Sequence, residues 1–225
     1  IGGLPKSGKT HLSLSFPDPI VVFSFDLGFA PVVAKFPKKN IKVNTYVVPL
    51  VDPVHPRIKY ALPVYQAVEK DFKEALAGEA KTIIVDTNTA RYDIYRHAYA
   101  EEQGKQTVEI HQYSQIYTRM NGIIYACILA GKNLVMTHYL REKYVNDKAT
   151  GELELDCYRR LEGLTDLNLV NRREQRTVRG EKGEDLKENY IVTTIKDNRF
   201  DLDANGLELK MTNYKELITA LGLAG

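Results

Sequence analysis

Two periods organise the hydrophobic and polar positions of this chain. Short continuous apolar runs occur at "IVVFSFD" (20–26), "VNTYVVPL" (43–50), "KTIIVDT" (81–87), "NLVMTH" (133–138) and "NYIVTTIKDNRF" (189–200), and these predict strands. Helical spacing separates them. "THLSLSF" opens a helix that Pro17 and Pro19 end, and Val64, Val68, Phe72 and Leu76 mark one face of a second helix closed by Gly78. "ARYDIYRHAYAEE" predicts a third. Ile116, Met120, Ile123, Cys127 and Ile128 predict a fourth, up to Gly131. Asn213 and Glu216 suit the N-terminus of a last helix whose inner face is Tyr214, Leu217, Ile218 and Leu221. Buried strands alternating with helices predict an α/β fold with a mainly parallel central sheet flanked by helices. Residues 141–190, rich in charge and glycine, predict excursions or hairpins around short strands. No internal repeat appears, and a single domain over 1–225 is the simplest expectation.

Composition narrows this picture only slightly. The 225 residues include 44% apolar and 27% charged residues, ordinary values for a globular chain, with a net charge of +2. A nucleic-acid partner would therefore have to meet a local basic patch. The only cysteines, Cys127 and Cys157, have no paired spacing, which argues against a disulfide framework or a zinc site and makes Cys127 a packing residue. No apolar run approaches the roughly 18–20 residues that span a bilayer, and no signal peptide is visible, so the expectation is a cytoplasmic protein with no membrane partner.

The chemistry begins at Gly3. "GLPKSGKT", Gly3 to Thr10, fits G-x-x-x-x-G-K-[ST] at every fixed position. Gly3 and Gly8 allow the backbone to wrap so that the N–H groups of Pro5's neighbours, Lys6, Ser7 and Gly8 point at phosphate oxygens, and the helix that starts by His11 adds its positive end. Lys9 brings a full charge to the β- and γ-phosphates of ATP, and the Thr10 hydroxyl suits Mg²⁺. Such a loop ordinarily follows a buried strand, so residues upstream of Ile1 are expected. A chance glycine-rich turn is the alternative, but "IIVD" places Asp86 at the C-terminal end of a buried strand, where ligands of α/β sheets bind and where a carboxylate holds Mg²⁺ through water. A further strand lies between the two motifs in sequence, unlike the plan of small nucleotide kinases. The next strand ends in "MTH", making His138 a sensor of the γ-phosphate or, alternatively, a capping histidine.

"GLPKSGKT", "FSFDLG", "TIIVDT" and "LVMTH", followed by "RLEGLTDLNLVNRRE" and "TIKDNRF", resemble the RecA-like P-loop ATPases of bacteriophages, most closely the group proposed to act in single-strand annealing or recombination. The likeness covers most of the chain in motif order. It implies a RecA-like core, ATP between the subunits of a homo-oligomeric ring or filament, single-stranded DNA on the inner surface, a single-strand-binding protein as a further partner, and the cytoplasm of a bacterial host as the location. The chain departs from the pattern at one place. Where the second strand of such enzymes ends in an acid, one residue and then a water-polarising glutamate, this chain has Asp26-Leu27-Gly28, so either Asp26 substitutes or hydrolysis is slow.

Lys196 and Arg199 in "IKDNR" occupy the position from which RecA-like rings reach into a neighbour's ATP, with Arg199 favoured for its planar, multi-donor head. Solvated basic residues at a turn are the alternative. The segment 170–182, "VNRREQRTVRGEK", places Arg172, Arg173, Arg176, Arg179 and Lys182 on an expected mobile, DNA-facing insertion, with Tyr158 beside Arg159 and Arg160 as a stacking face. Residues 141–190 carry 11 basic and 12 acidic side chains, so a mixed-charge surface accounts for them as well. The tyrosines at 92, 95 and 99 fit packing. The leading expectation is an ATP-binding RecA-like protein that assembles on single-stranded DNA for annealing or recombination with weak, DNA-stimulated hydrolysis. The rivals are a helicase- or loader-type motor, a P-loop small-molecule kinase and a regulatory nucleotide-binding module.

Overall fold

The structure, a computed structural model, describes residues 1–26, 28–47, 49–54, 57–158, 160–179 and 185–223. In chain order the elements are β1 (Gly2–Gly3), α1 (Lys9–Leu14), β2 (Ile20–Ser24), α2 (Ala30–Val33), β3 (Ile41–Thr45), α3 (Ala61–Ala77), β4 (Thr82–Asp86), α4 (Asn88–Glu102), α5 (Tyr113–Leu129), β5 (Asn133–Met136), β6 (Leu140–Val145), β7 (Lys148–Leu155), β8 (Leu167–Arg179), β9 (Asp185–Asn198), β10 (Glu208–Lys210) and α6 (Tyr214–Ala220). The fold is α/β. The chain divides into two compact units, one of Pro17–His138 with Cys157–Leu161, the other of Ile1–Phe16, Tyr139–Asp156 and Glu162–Gly225.

The unit built on Pro17–His138 contains a parallel sheet in the order β3-β2-β4-β5. Its central strands are the near-continuous apolar runs that burial on both faces demands: Ile20, Val22, Phe23, Ile83, Ile84 and Val85 are all almost fully enclosed. Phe72 of α3 meets Phe23 of β2 at 5.5 Å between ring centroids, which seats that helix on the sheet. On α4, Tyr95 is fully buried, stands edge-on to Tyr65 at 4.8 Å and hydrogen-bonds Glu69 at 2.5 Å, so packing is its role. Cys127 of α5 is likewise buried, and burial pushes its thiol up to about 12. Two sequence expectations are corrected here. The second strand is 41–45 rather than 43–50, because its ladder ends where Thr45 meets Ser24, the last residue of β2, and Val47 and Leu50 beyond it are exposed. Ile128 lies off the inner face of α5 and is 58% exposed.

The other unit has a mixed sheet in the order β1-β8-β9-β10, with β1 parallel to β8 and the other pairs antiparallel, plus the two-stranded β6–β7 hairpin. Its core joins Leu12 of α1, Leu169 of β8, Ile195 of β9, and Leu217 and Leu221 at α6, as the apolar spacing of the last helix predicts. Asn213 caps α6 by accepting from the Glu216 N–H at 3.2 Å. The expectation of short strands in 141–190 is corrected. β8 and β9 have 13 and 14 residues and pair from Leu167↔Asn198 out to Arg179↔Asp185, with one register shift between Asn168 and Leu169 and an unbroken register from Leu169↔Ile195 outward. Gly180, Glu181 and Lys182 of the basic segment lie outside the described residues.

Candidate functional site

The loop after β1 owes its shape to a few residues. Leu4-Pro5-Lys6-Ser7 closes as a turn, the Ser7 N–H donating to the Leu4 carbonyl at 3.2 Å, with proline at the second position and Lys6 at φ 63, the arrangement of a type II turn. Gly8 then takes φ 81 and begins α1. A side chain there would be strained and would also crowd Ile191, 3.0 Å from the added carbon. A Cβ at Gly3 would lie 2.2 Å from Ser7 Oγ and 2.8 Å from the Asn171 carbonyl, so the first motif glycine is required by close approach to β8. Turns of this handedness aim successive N–H groups into a concavity that favours anions. Since α1 has only six residues, the backbone loop itself, more than a long helix dipole, supplies that preference.

Lys9 is buried, its Nζ donating to the carbonyls of Gly3 at 2.7 Å and Leu4 at 3.0 Å and standing 5.1 Å from the Tyr139 ring centroid. The ammonium is therefore turned onto the loop that precedes it. Ser7 is 2% exposed, and its Oγ meets no partner among the described residues. A buried hydroxyl of that kind and an ammonium turned onto the loop are groups able to bond phosphate oxygens. Thr10 is partly buried, whereas Pro5, Lys6 and His11 are exposed.

In the unit of the parallel sheet, polar side chains gather at the C-terminal strand ends. The chain passes from β2 to β3 on one side and re-enters with β4 on the other, which makes the β2–β4 crevice the topological switch point. Asp86 ends β4, buried, and accepts a hydrogen bond from the Thr137 hydroxyl. Thr87 caps α4 by accepting from the Ala90 N–H at 3.2 Å, and the Asn88 N–H donates to the Thr137 carbonyl at 2.8 Å. Asn88 Nδ2 lies 3.5 Å from His138 Nε2 and 3.7 Å from Cys157 Sγ. Ser24 ends β2, donating to the Asp26 carbonyl at 2.7 Å. The fold thus brings Asp86 and His138 into one buried polar cluster, together with Thr137, Asn88 and Ser24, which sequence reading missed. Short polar residues after apolar runs were the signal. Asp26 is exposed, its Oδ1 accepting the Gly28 N–H at 3.0 Å; Leu27 lies outside the described residues.

Lys196 and Arg199 stand at the end of β9 as expected, each engaged within its own unit. Lys196 Nζ sits 2.9 Å from both Glu162 oxygens, while Arg199 reaches Asp166 Oδ1 at 3.3 Å and the Gly163 carbonyl at 2.7 Å. The arginines expected to contact DNA lie on a regular ladder, and this corrects the mobile loop. Arg172 is held by Glu174 and Glu208 and Arg176 by Glu188, whereas Arg173 and Arg179 point to the opposite face. Tyr158 is no stacking face. It is 6% exposed, its ring 4.9 Å from that of Tyr117, its hydroxyl bonded to Asn121, and burial pushes its phenol up. Arg159 lies outside the described residues. Among the described residues no helix is long and apolar enough to cross a membrane. Neither a scan against protein-family models nor a search of curated proteins finds a match to the chain.

Proposed function

We propose that this chain is a RecA-like ATPase of phage type that binds ATP with Mg²⁺ and assembles as a homo-oligomer on single-stranded DNA for annealing or recombination. The observation that carries the reading is the conformation of residues 3–9: positive φ at Lys6 and Gly8, a Gly3 whose added Cβ would meet the β8 backbone at 2.8 Å, and a buried Lys9 turned into the loop. Lys9 would meet the phosphates; the Thr10 hydroxyl and, in the other unit, the Asp86 carboxylate are each hard oxygen donors of the kind Mg²⁺ prefers. The bound metal and nucleotide supply a polarised γ-phosphoryl group. Support for the RecA-like assignment is the parallel order β3-β2-β4-β5 with its acid at the switch point. His138, one residue beyond Thr137 and in contact with Asn88, suits a γ-phosphate sensor. Asp26 turns its carboxylate to its own loop, and Gly28 offers no side chain, which supports slow turnover.

Steady-state ATP hydrolysis with and without single-stranded DNA tests this. The expected result is a slow basal rate that rises with DNA. An unchanged rate overturns the DNA-dependent reading and favours a kinase or regulatory module; directional strand separation would favour a motor. Arg199→Ala should cut DNA-stimulated turnover by roughly tenfold or more, as loss of a trans-acting arginine does. ATP affinity and melting temperature should hold, because Arg199's ion pair is exposed and contributes little. Unchanged turnover would remove Arg199 from the site.

A further inference from the structure

Charge on the β8–β9 hairpin is sorted between its two faces. Side chains alternate along a strand, and directly paired residues share a face. One face carries Arg172, Glu174 and Arg176 opposite Val192, Tyr190 and Glu188, with Glu208 and Lys210 of β10 beside them. Its cations are matched by acids. Arg172 lies 2.6 Å from Glu174 and 2.8 Å from Glu208, and Arg176 lies 2.6 Å from Glu188. Tyr190 donates to Glu174 at 2.6 Å, and Arg176 and Lys210 stand over its ring at 5.7 and 5.6 Å. These bonds hold Glu174 and Glu208 below the usual carboxylate range.

The opposite face carries Arg173, Gln175, Thr177 and Arg179 against Ile191, Asn189, Lys187 and Asp185. Arg173, Lys187 and Arg179 are exposed, and among the described residues none of them forms an ion pair; Arg173 and Gln175 share the Asn189 amide oxygen at 3.2 and 3.3 Å. Asp185 is the sole acid among these paired residues. From this asymmetry we infer that Arg173, Lys187 and Arg179 form a phosphate-binding strip for single-stranded DNA, and that Arg172 and Arg176 brace the hairpin instead.

The inference rests on the proposed function and narrows it. From Arg173 to Arg179 the strand rises about 20 Å, longer than one small anion needs. Gln175 and Asn189 add neutral hydrogen-bonding groups between the cations. None of these paired residues is aromatic, so the face suits backbone phosphates more than base stacking. Its inner end is Ile191, which packs against Gly8 of the nucleotide loop. The strip therefore starts where the phosphate loop ends, a route by which the state of that loop reaches the DNA.

The test is fluorescence anisotropy of a labelled single-stranded oligonucleotide titrated with the full chain over a range of salt concentrations. The triple variant Arg173→Ala, Lys187→Ala, Arg179→Ala should weaken binding on the order of tenfold or more and flatten the salt slope by about 2, at about 0.7 per lost phosphate contact. Its ATP binding should match the parent. Arg172→Ala with Arg176→Ala should keep the parent's slope and melt close to the parent, since their ion pairs are exposed. Parent-like binding by the triple variant, or loss confined to the double variant, overturns the inference alone. A parent chain that binds ATP but no single-stranded DNA overturns it together with the DNA part of the proposed function.

Discussion

Replacing Lys9 with alanine should abolish measurable ATP binding at concentrations that saturate the parent. Charge-assisted hydrogen bonds are worth about 1.5–3 kcal/mol each, so losing two to phosphate oxygens weakens affinity on the order of 10²–10⁴-fold. The resting contacts show why the effect reaches beyond charge. Nζ donates to the carbonyls of Gly3 and Leu4 from a nearly buried position, and alanine removes both bonds along with the packed stem. Lys9→Met keeps most of the stem without the charge and separates the two effects. Calorimetric titration with ATP and a melting curve on each variant is the measurement. Loss of affinity in both, with the methionine variant melting near the parent, is the expected pattern. Normal ATP affinity in a folded variant would sink the assignment of the loop.

Asp86→Asn is expected to lower Mg²⁺-dependent turnover on the order of 10²–10³-fold, the scale on which single electrostatic contributors to phosphoryl chemistry act. Stability should hold or rise. Asparagine keeps an oxygen for the Thr137 hydroxyl, and it relieves the cost of holding a charge at a nearly buried strand end. The opposite movement of turnover and stability is the signature of a buried acid kept for chemistry. Initial rates across a Mg²⁺ titration, with melting curves alongside, measure both. If turnover is unchanged at every Mg²⁺ concentration, Asp86 is a structural acid and the metal is held elsewhere.

Slow turnover and nucleotide-dependent assembly would be compatible outcomes of one design. Asp26 satisfies the N–H of Gly28, and no glutamate follows it to orient water. The loop 3–8 meanwhile meets, through Gly8 and Ile191, the strand β9 that carries part of the basic strip. On the proposed reading, the bound state of ATP would matter more to the basic strip than the speed of its cleavage.

What the sequence determined by itself was whatever depends on neighbours in the chain. The loop 3–10 is contiguous, and its proline and its residues at positive φ, Lys6 and Gly8, shape its turn locally, although the need for glycine at Gly3 comes from the approach of β8. Asp86 was legible because an apolar run of strand length ended on an acid, and Asn213 because a capping residue acts within one turn. Tertiary structure decided what depends on pairing. The end of β3 is set by the end of its partner β2, so the apolar Val47 and Leu50 misled. The outer β8–β9 hairpin lacks alternation of apolar and polar residues; its order comes from a hydrogen-bonded register that no local window contains. Strand alternation and that register together sort four arginines, close in sequence, into two held by carboxylates and two with no ion pair among the described residues, since a strand turns successive side chains to opposite faces and the strand beside it determines which charges they meet.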